Sequence, residues 1–164
     1  MCYGFIRGAL AADAELESLE RQYEALQAAE TRRAEEETRA QLSILTDAGG
    51  GVLLQPARGL EWTQADNGRD INWRDARAHC AARGGGWRLP KVEELQSLIG
   101  HRDTGAPCGK LTCKVSRLFR LSEPFFWSGD PNGPADAWCV NLRDGTRYSD
   151  AITAASSSRA LCVR

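Results

Sequence analysis

The 164-residue chain has one methionine and two histidines, and no apolar run approaching the ~20 residues that a membrane-spanning helix needs. It has no His-Glu-x-x-His, no Gly-x-Ser-x-Gly and no Cys-x-x-Cys, which removes the usual signatures of zinc proteases, serine hydrolases and thiol-redox proteins. His79 lies beside Cys80 on a predicted helix, where the ordinary reading is a partly buried helix residue. A phosphate-binding glycine loop is also missing, because Gly84-Gly85-Gly86 follows a helix instead of opening one. Catalysis is therefore not expected. The formal net charge of −1 gives no global field to attract nucleic acid. Sixteen glycines against that single methionine argue for a loop-rich fold over a helical bundle.

The charge is unevenly distributed. Residues 13–40 carry nine acidic and four basic side chains, a net of −5, while residues 41–164 carry sixteen basic and thirteen acidic, a net of +3. From Asp13 to Leu45 there is neither glycine nor proline, and Ala, Glu, Leu, Gln and Arg dominate, all residues that lose little rotamer freedom in a helix. Leu16, Leu19, Tyr23 and Leu26 keep a coiled-coil spacing, but the register then reaches Glu30, Arg33 and Glu37. Residues 13–48 thus read as a solvated helical stalk, a short coiled coil that self-associates weakly or a plain spacer. Met1 to Ala12 reads either as the remnant of a secretory leader, with Ala9-Leu10-Ala11 as its cleavage pattern, or as a frayed helix start.

Residues 49–164 use a different vocabulary, and Gly49-Gly50-Gly51 is expected to end the helix. Val52–Gln55 and Gly59–Trp62 read as short strands separated by Pro56. Asn72 is a candidate N-cap with Asp75 three residues on, Trp73, Ala76, Cys80 and Ala81 share one helical face, and Gly84 supplies a left-handed stop. A second helix is predicted from Pro90, burying Val92, Leu95, Leu98 and Ile99. Beyond residue 101 strands take over: Phe125–Ser128, Ala137–Leu142, a return at Arg147-Tyr148 after the Asp144-Gly145 turn, and a last strand Ala160–Val163. Helices first and then an antiparallel sheet make an α+β arrangement.

Gly59-Leu60-Glu61-Trp62, Trp73-Arg74-Asp75-Ala76 leading to Cys80, Trp87-Arg88-Leu89-Pro90 with Glu94-Leu95, Phe126-Trp127-Ser128, Asp144-Gly145 and Cys162-Val163-Arg164 occur in an order that resembles the Lcl C-terminal domain family of collagen-like bacterial adhesins. The similarity covers roughly residues 52–164. The helix ending in Cys80 and the following Arg-Leu-Pro are also similar to formylglycine-generating enzymes, although this chain is much shorter and Cys162 reads as structural. Both resemblances imply a C-type-lectin-like domain of two helices and a small antiparallel sheet, here preceded by the long N-terminal helix. They also imply a Cys80–Cys162 disulfide.

Cys108 and Cys113 bracket a loop short enough for a local bridge, which leaves Cys139 and Cys2 without obvious partners. A disulfide framework implies a periplasmic or secreted protein. The alternative, zinc held by His101, Cys108 and Cys113, lacks a fourth ligand and the usual spacing.

For ligands, the adhesin resemblance implies surface glycans, including polyanionic ones. The Glu123-Pro124-Phe125 and Trp138-Cys139-Val140-Asn141 segments depart from the calcium–sugar motifs of lectins, so no cofactor is expected. The loop with Asp130, Asn132 and Asp136 is the remaining candidate for Ca²⁺, with a rigid polar turn as its other reading. Trp127, Trp138, Tyr148, Asn141, Arg143, Arg147 and Arg159 complete a candidate binding face of aromatic rings and guanidinium forks. Trp87 reads as core, and Trp138 as alternating with Cys139 across a sheet. A non-catalytic glycan-binding module is the leading expectation; a protein-binding module, an assembly component or an inhibitor of a cell-wall enzyme using the same face and the helix, is the rival.

Overall fold

The computed structural model describes residues 3–100, 104–155 and 157–164, with side chains described from Asp13 on. It divides into two compact units, Met1–Thr38 and Arg39–Arg164. The first belongs to helix α1 (Tyr3–Leu42). Leu16, Leu19, Tyr23 and Leu26 are each more than half exposed on it. No helix among the described residues is long and apolar enough to cross a membrane.

The second unit is α+β. Strands β1 (Thr46–Gly49), β2 (Val52–Gln55) and β3 (Leu60–Thr63) form an antiparallel meander. The glycine triplet does not end the helix, as its composition suggested. Helix α1 stops at Leu42, and Gly49, Gly50 and Gly51, with φ of 80°, 62° and 76°, turn β1 into β2. Three consecutive left-handed residues are accessible there because glycine lacks a Cβ. Buried Gln55 fastens this region: its amide donates to Leu42 O at 2.6 Å and to Ser97 Oγ at 3.1 Å, while its carbonyl accepts the Trp62 indole N–H at 2.9 Å.

Helix α2 (Trp73–Ala81) starts at Asn72, whose Oδ1 accepts the Asp75 N–H at 3.0 Å, and it buries Trp73, Ala76 and Cys80, but Ala81, expected on the same face, is exposed at the helix end. Helix α3 (Val92–Ser97) is capped by Lys91, so Pro90 precedes the helix instead of opening it. The Glu94 carboxylate reaches back to the Lys91 N–H at 2.7 Å, a bond that a proline at the cap would lack. Strands β4 (Thr104–Cys108) and β5 (Leu111–Ser116) form a hairpin closed by the Cys108–Cys113 bridge.

The main sheet contains β6 (Phe125–Pro131), β7 (Asp136–Asn141), β8 (Arg147–Ala151) and β9 (Ser158–Arg159), in the order β8-β7-β6-β9. Its β9 strand runs parallel to β6, whereas the sequence suggested a sheet antiparallel throughout. The last residues then leave this sheet. Val163 pairs with Trp62 on one side and with Arg88 on the other, and Cys162 is bridged to Cys80. Two apolar clusters result. Phe126, Val140, Leu95 and Trp62 belong to one, and Trp127, Cys139, Trp73 and Trp87 to the other.

The Cys80–Cys162 bridge closes a loop of 82 residues in sequence separation. Replacing both cysteines by serine is expected to lower stability by about 2–5 kcal/mol. Denaturant unfolding of the double variant checks this, and an unchanged midpoint would deny the bridge a structural role.

Candidate ligand-binding site

The segment from Trp87 to Val92 organises the surface. The Arg88 guanidinium grips the Glu94 carboxylate through two hydrogen bonds of 2.8 Å. Burial pushes the Glu94 carboxyl up, but the Arg88 fork, the Lys91 N–H and the two nearby positive charges outweigh it and hold the group below its ordinary value. Asp130, near the end of β6, accepts the Val92 N–H at 2.7 Å, and Gly129 N–H donates to Pro90 O at 2.7 Å. The end of β6 is thereby pinned to the start of α3.

Two grooves meet at this junction, and Lys91 and Asp130 line both. One, of about 410 Å³, lies between α3, with Glu93 and Gln96, and the sheet residues Trp138 and Arg147. The Arg147 guanidinium stacks 4.7 Å from the centroid of the half-buried Trp138 ring. The other, of about 580 Å³, runs along α2 past Arg74, Arg77, Ala78 and Ala81, with Trp87 and Leu89 behind it.

The structure brings together Trp138, Arg147 and Asp130 from the expected face, but divides the rest. Cys139 pairs with Tyr148 and Val140 with Arg147, so strand alternation turns Trp138 and Arg147 to one side of the sheet and Tyr148 to the other. Tyr148 packs edge-on against Phe125, with its hydroxyl 3.3 Å from Ser158 Oγ. Trp127 is not a surface ring: it is fully buried and its indole N–H donates to Ile71 O at 2.7 Å. Arg159 is not a free fork either, being buried and held by Asp70 and by Ser122 Oγ. Asn132 donates its backbone N–H to Asp136 O at 2.8 Å in the β6–β7 turn. Asn141 accepts the Arg143 N–H at 3.0 Å and orders the β7–β8 turn, on which Arg143 is exposed.

Among the described residues no three His, Cys, Asp or Glu side chains gather as metal ligands. His101, needed by the zinc alternative, lies outside the described residues, as does Cys2. Cys139 is a buried free thiol whose pKa burial pushes up to about 12, so it is neutral at physiological pH. His79 is exposed on α2.

The Lcl C-terminal domain model matches residues 51–164. The chain belongs to this family. No curated protein matches it. In this Lcl C-terminal domain, sequence reasoning missed Lys91, Glu93 and Gln96, and also Arg74 and Arg77. A signal existed for the α2 pair: Arg74, Arg77, Ala78 and Ala81 repeat at helical spacing on the face away from Trp73, Ala76 and Cys80.

Because the Glu94 carboxyl is depressed on folding, its contribution is complete above the ordinary carboxylate pKa of about 4.3 and is lost as pH falls through the folded value. Glu94→Gln is expected to cost about 1–3 kcal/mol at neutral pH and to remove that acid-side component. Melting curves between neutral and acid pH, run on both proteins, check the sign; parallel curves would contradict it.

Proposed function

We propose that this domain is a non-catalytic, extracytoplasmic recognition module that binds a surface glycan or polyanionic polysaccharide without a metal cofactor. The observation that carries the reading is the Trp138–Arg147 stack in an open groove, with Lys91, Asp130, Glu93 and Gln96 around it. An aromatic face packs against the C–H side of a sugar ring, while carboxylate and amide groups hydrogen-bond its hydroxyls and the cations take up acidic substituents. Family membership supports an extracellular or surface-associated setting. The two disulfides are the kind that persist in an oxidising, periplasmic or secreted compartment. A C-type-lectin-like fold is supported by the pairing of β3 with the C-terminal residues and by the bridge from α2 to Cys162.

A protein-binding role is favoured by a different observation, the stripe of Leu16, Leu19, Tyr23 and Leu26 exposed on α1. That stripe suits weak self-association or a helical partner. Replacing Leu16, Leu19, Tyr23 and Leu26 by glutamine, which leaves the Leu42 and Leu45 contacts in place, would abolish a stoichiometric protein complex if this second role is the main one, and would leave glycan binding intact if the groove is.

Binding of the oxidised protein to immobilised glycans, with and without EDTA, tests the first reading. Saturable binding insensitive to EDTA is expected, with Trp138→Ala and Arg147→Ala each weakening it about tenfold or more. Absence of binding to neutral and anionic glycans alike would refute it.

A further inference from the structure

The groove along α2 differs chemically from the Trp138 groove it adjoins. Its floor is small and apolar: Ala78 and Ala81 are exposed on the helix, and buried Leu89 and Trp87 lie behind them. Its rim is cationic. Arg88 is committed to Glu94 and Asp130 accepts a helix N–H. Arg74, Arg77 and Lys91, all exposed, make no ion pair among the described residues. Arg77 is steadied over the Trp73 ring, 4.8 Å from its centroid. At about 580 Å³ the groove has the size of a small-molecule site, and it opens at Lys91 and Asp130 into the Trp138 groove.

We propose that the α2 groove is a second subsite, in which Arg74, Arg77 and Lys91 bind the carboxylate of a sugar chain and the alanine–leucine floor receives an N-acetyl methyl on that chain. The ligand class is an N-acetylated, carboxylate-bearing oligosaccharide that spans both grooves. Guanidinium forks match a carboxylate, and an apolar floor desolvates an acetyl methyl where it would leave a hydroxyl unpaired. The inference rests on the glycan reading of the Trp138 groove and adds to it a chain length, a charge and a substituent.

A factorial set of hexasaccharides tests it by calorimetry on the full chain: hyaluronan (carboxylate and N-acetyl), chitin (N-acetyl alone), oligogalacturonate (carboxylate alone) and a heparin fragment (sulfate-rich). Hyaluronan is expected to bind about tenfold more tightly than either single-feature chain and more tightly than heparin. Arg74→Glu with Arg77→Gln should bring hyaluronan down to the chitin level and leave chitin unchanged. Arg74→Glu alone, exposed and unstacked, should give a partial loss in the same direction. A wall hexasaccharide of alternating N-acetylglucosamine and N-acetylmuramic acid, compared with the hyaluronan hexasaccharide, separates a bacterial from a host source of the same chemistry. Equal affinity for hyaluronan and chitin, or for hyaluronan and oligogalacturonate, would overturn the subsite while leaving the Trp138 reading intact. So would binding that the arginine variants do not alter. Failure of all four chains to bind would overturn both.

Discussion

The insertion of the last few residues between two distant segments is the constraint on which the rest of the domain depends. Val163 exchanges backbone hydrogen bonds of 2.9 Å in both directions with Arg88, and Glu61 exchanges bonds of 2.9 and 3.0 Å with Arg164. Cys162, in the same stretch, is covalently joined to α2. One extended segment therefore fixes β3, α2 and the Trp87–Leu89 segment relative to one another. Residues 160–163 are all essentially solvent-free, so their backbone groups must be paired within the protein. The C-terminal stretch is thus a central element of the architecture and not an edge.

From that frame the surface chemistry follows with little freedom. Arg88 is aligned by its backbone pairing to Val163, its side chain holds Glu94, and Glu94 holds the cap of α3. Asp130 then ties β6 to the same helix start. Glu94 is spent on the scaffold and Asp130 gives one oxygen to it, while Lys91, Arg74 and Arg77 give the α2 groove three cations against that single carboxylate. The main sheet adds a sorting step: alternation along β7 sends Trp138 outward toward one groove and Cys139 into the opposite cluster. In a stretch so rich in aromatics, strand parity decides which ring is available to a ligand.

Local signals were readable where one residue type has one dominant reason to be present. Asn72 before an amphipathic turn, and Val92, Leu95 and Leu98 at helical spacing, both appear in the structure as the sequence indicates. The resemblance extended this to the Cys80–Cys162 bridge, and the short intervening loop to Cys108–Cys113. The β4–β5 hairpin escaped notice because Gly105 and Pro107 break the pattern of its first strand, although Cys113 and Val115 alternate inward on its second. Trp127 and Arg159 were misplaced because sequence proximity to a turn does not reveal what lies across a sheet. Their partners, Ile71 and Asp70, sit more than fifty residues away. Arg74 and Arg77 were overlooked for the opposite reason, since a solvated helix face and a groove wall have the same composition.

The covalent loop between Cys80 and Cys162 also partitions the molecule under mechanical load. Lys91, Asp130, Trp138 and Arg147 all lie inside that loop, whereas Arg74, Arg77 and the buried Gln55 tether to Leu42 lie outside it. Tension transmitted along α1 reaches the domain at Leu42 and can draw out chain only as far as Cys80 before it meets a covalent bond. Stretching would peel away β1 to β3 and α2 in sequence, and with them the arginine wall, while the Trp138 groove stayed within a closed ring of chain. A tethered copy of this domain would therefore lengthen under force without opening the ring of chain that holds Trp138 and Arg147.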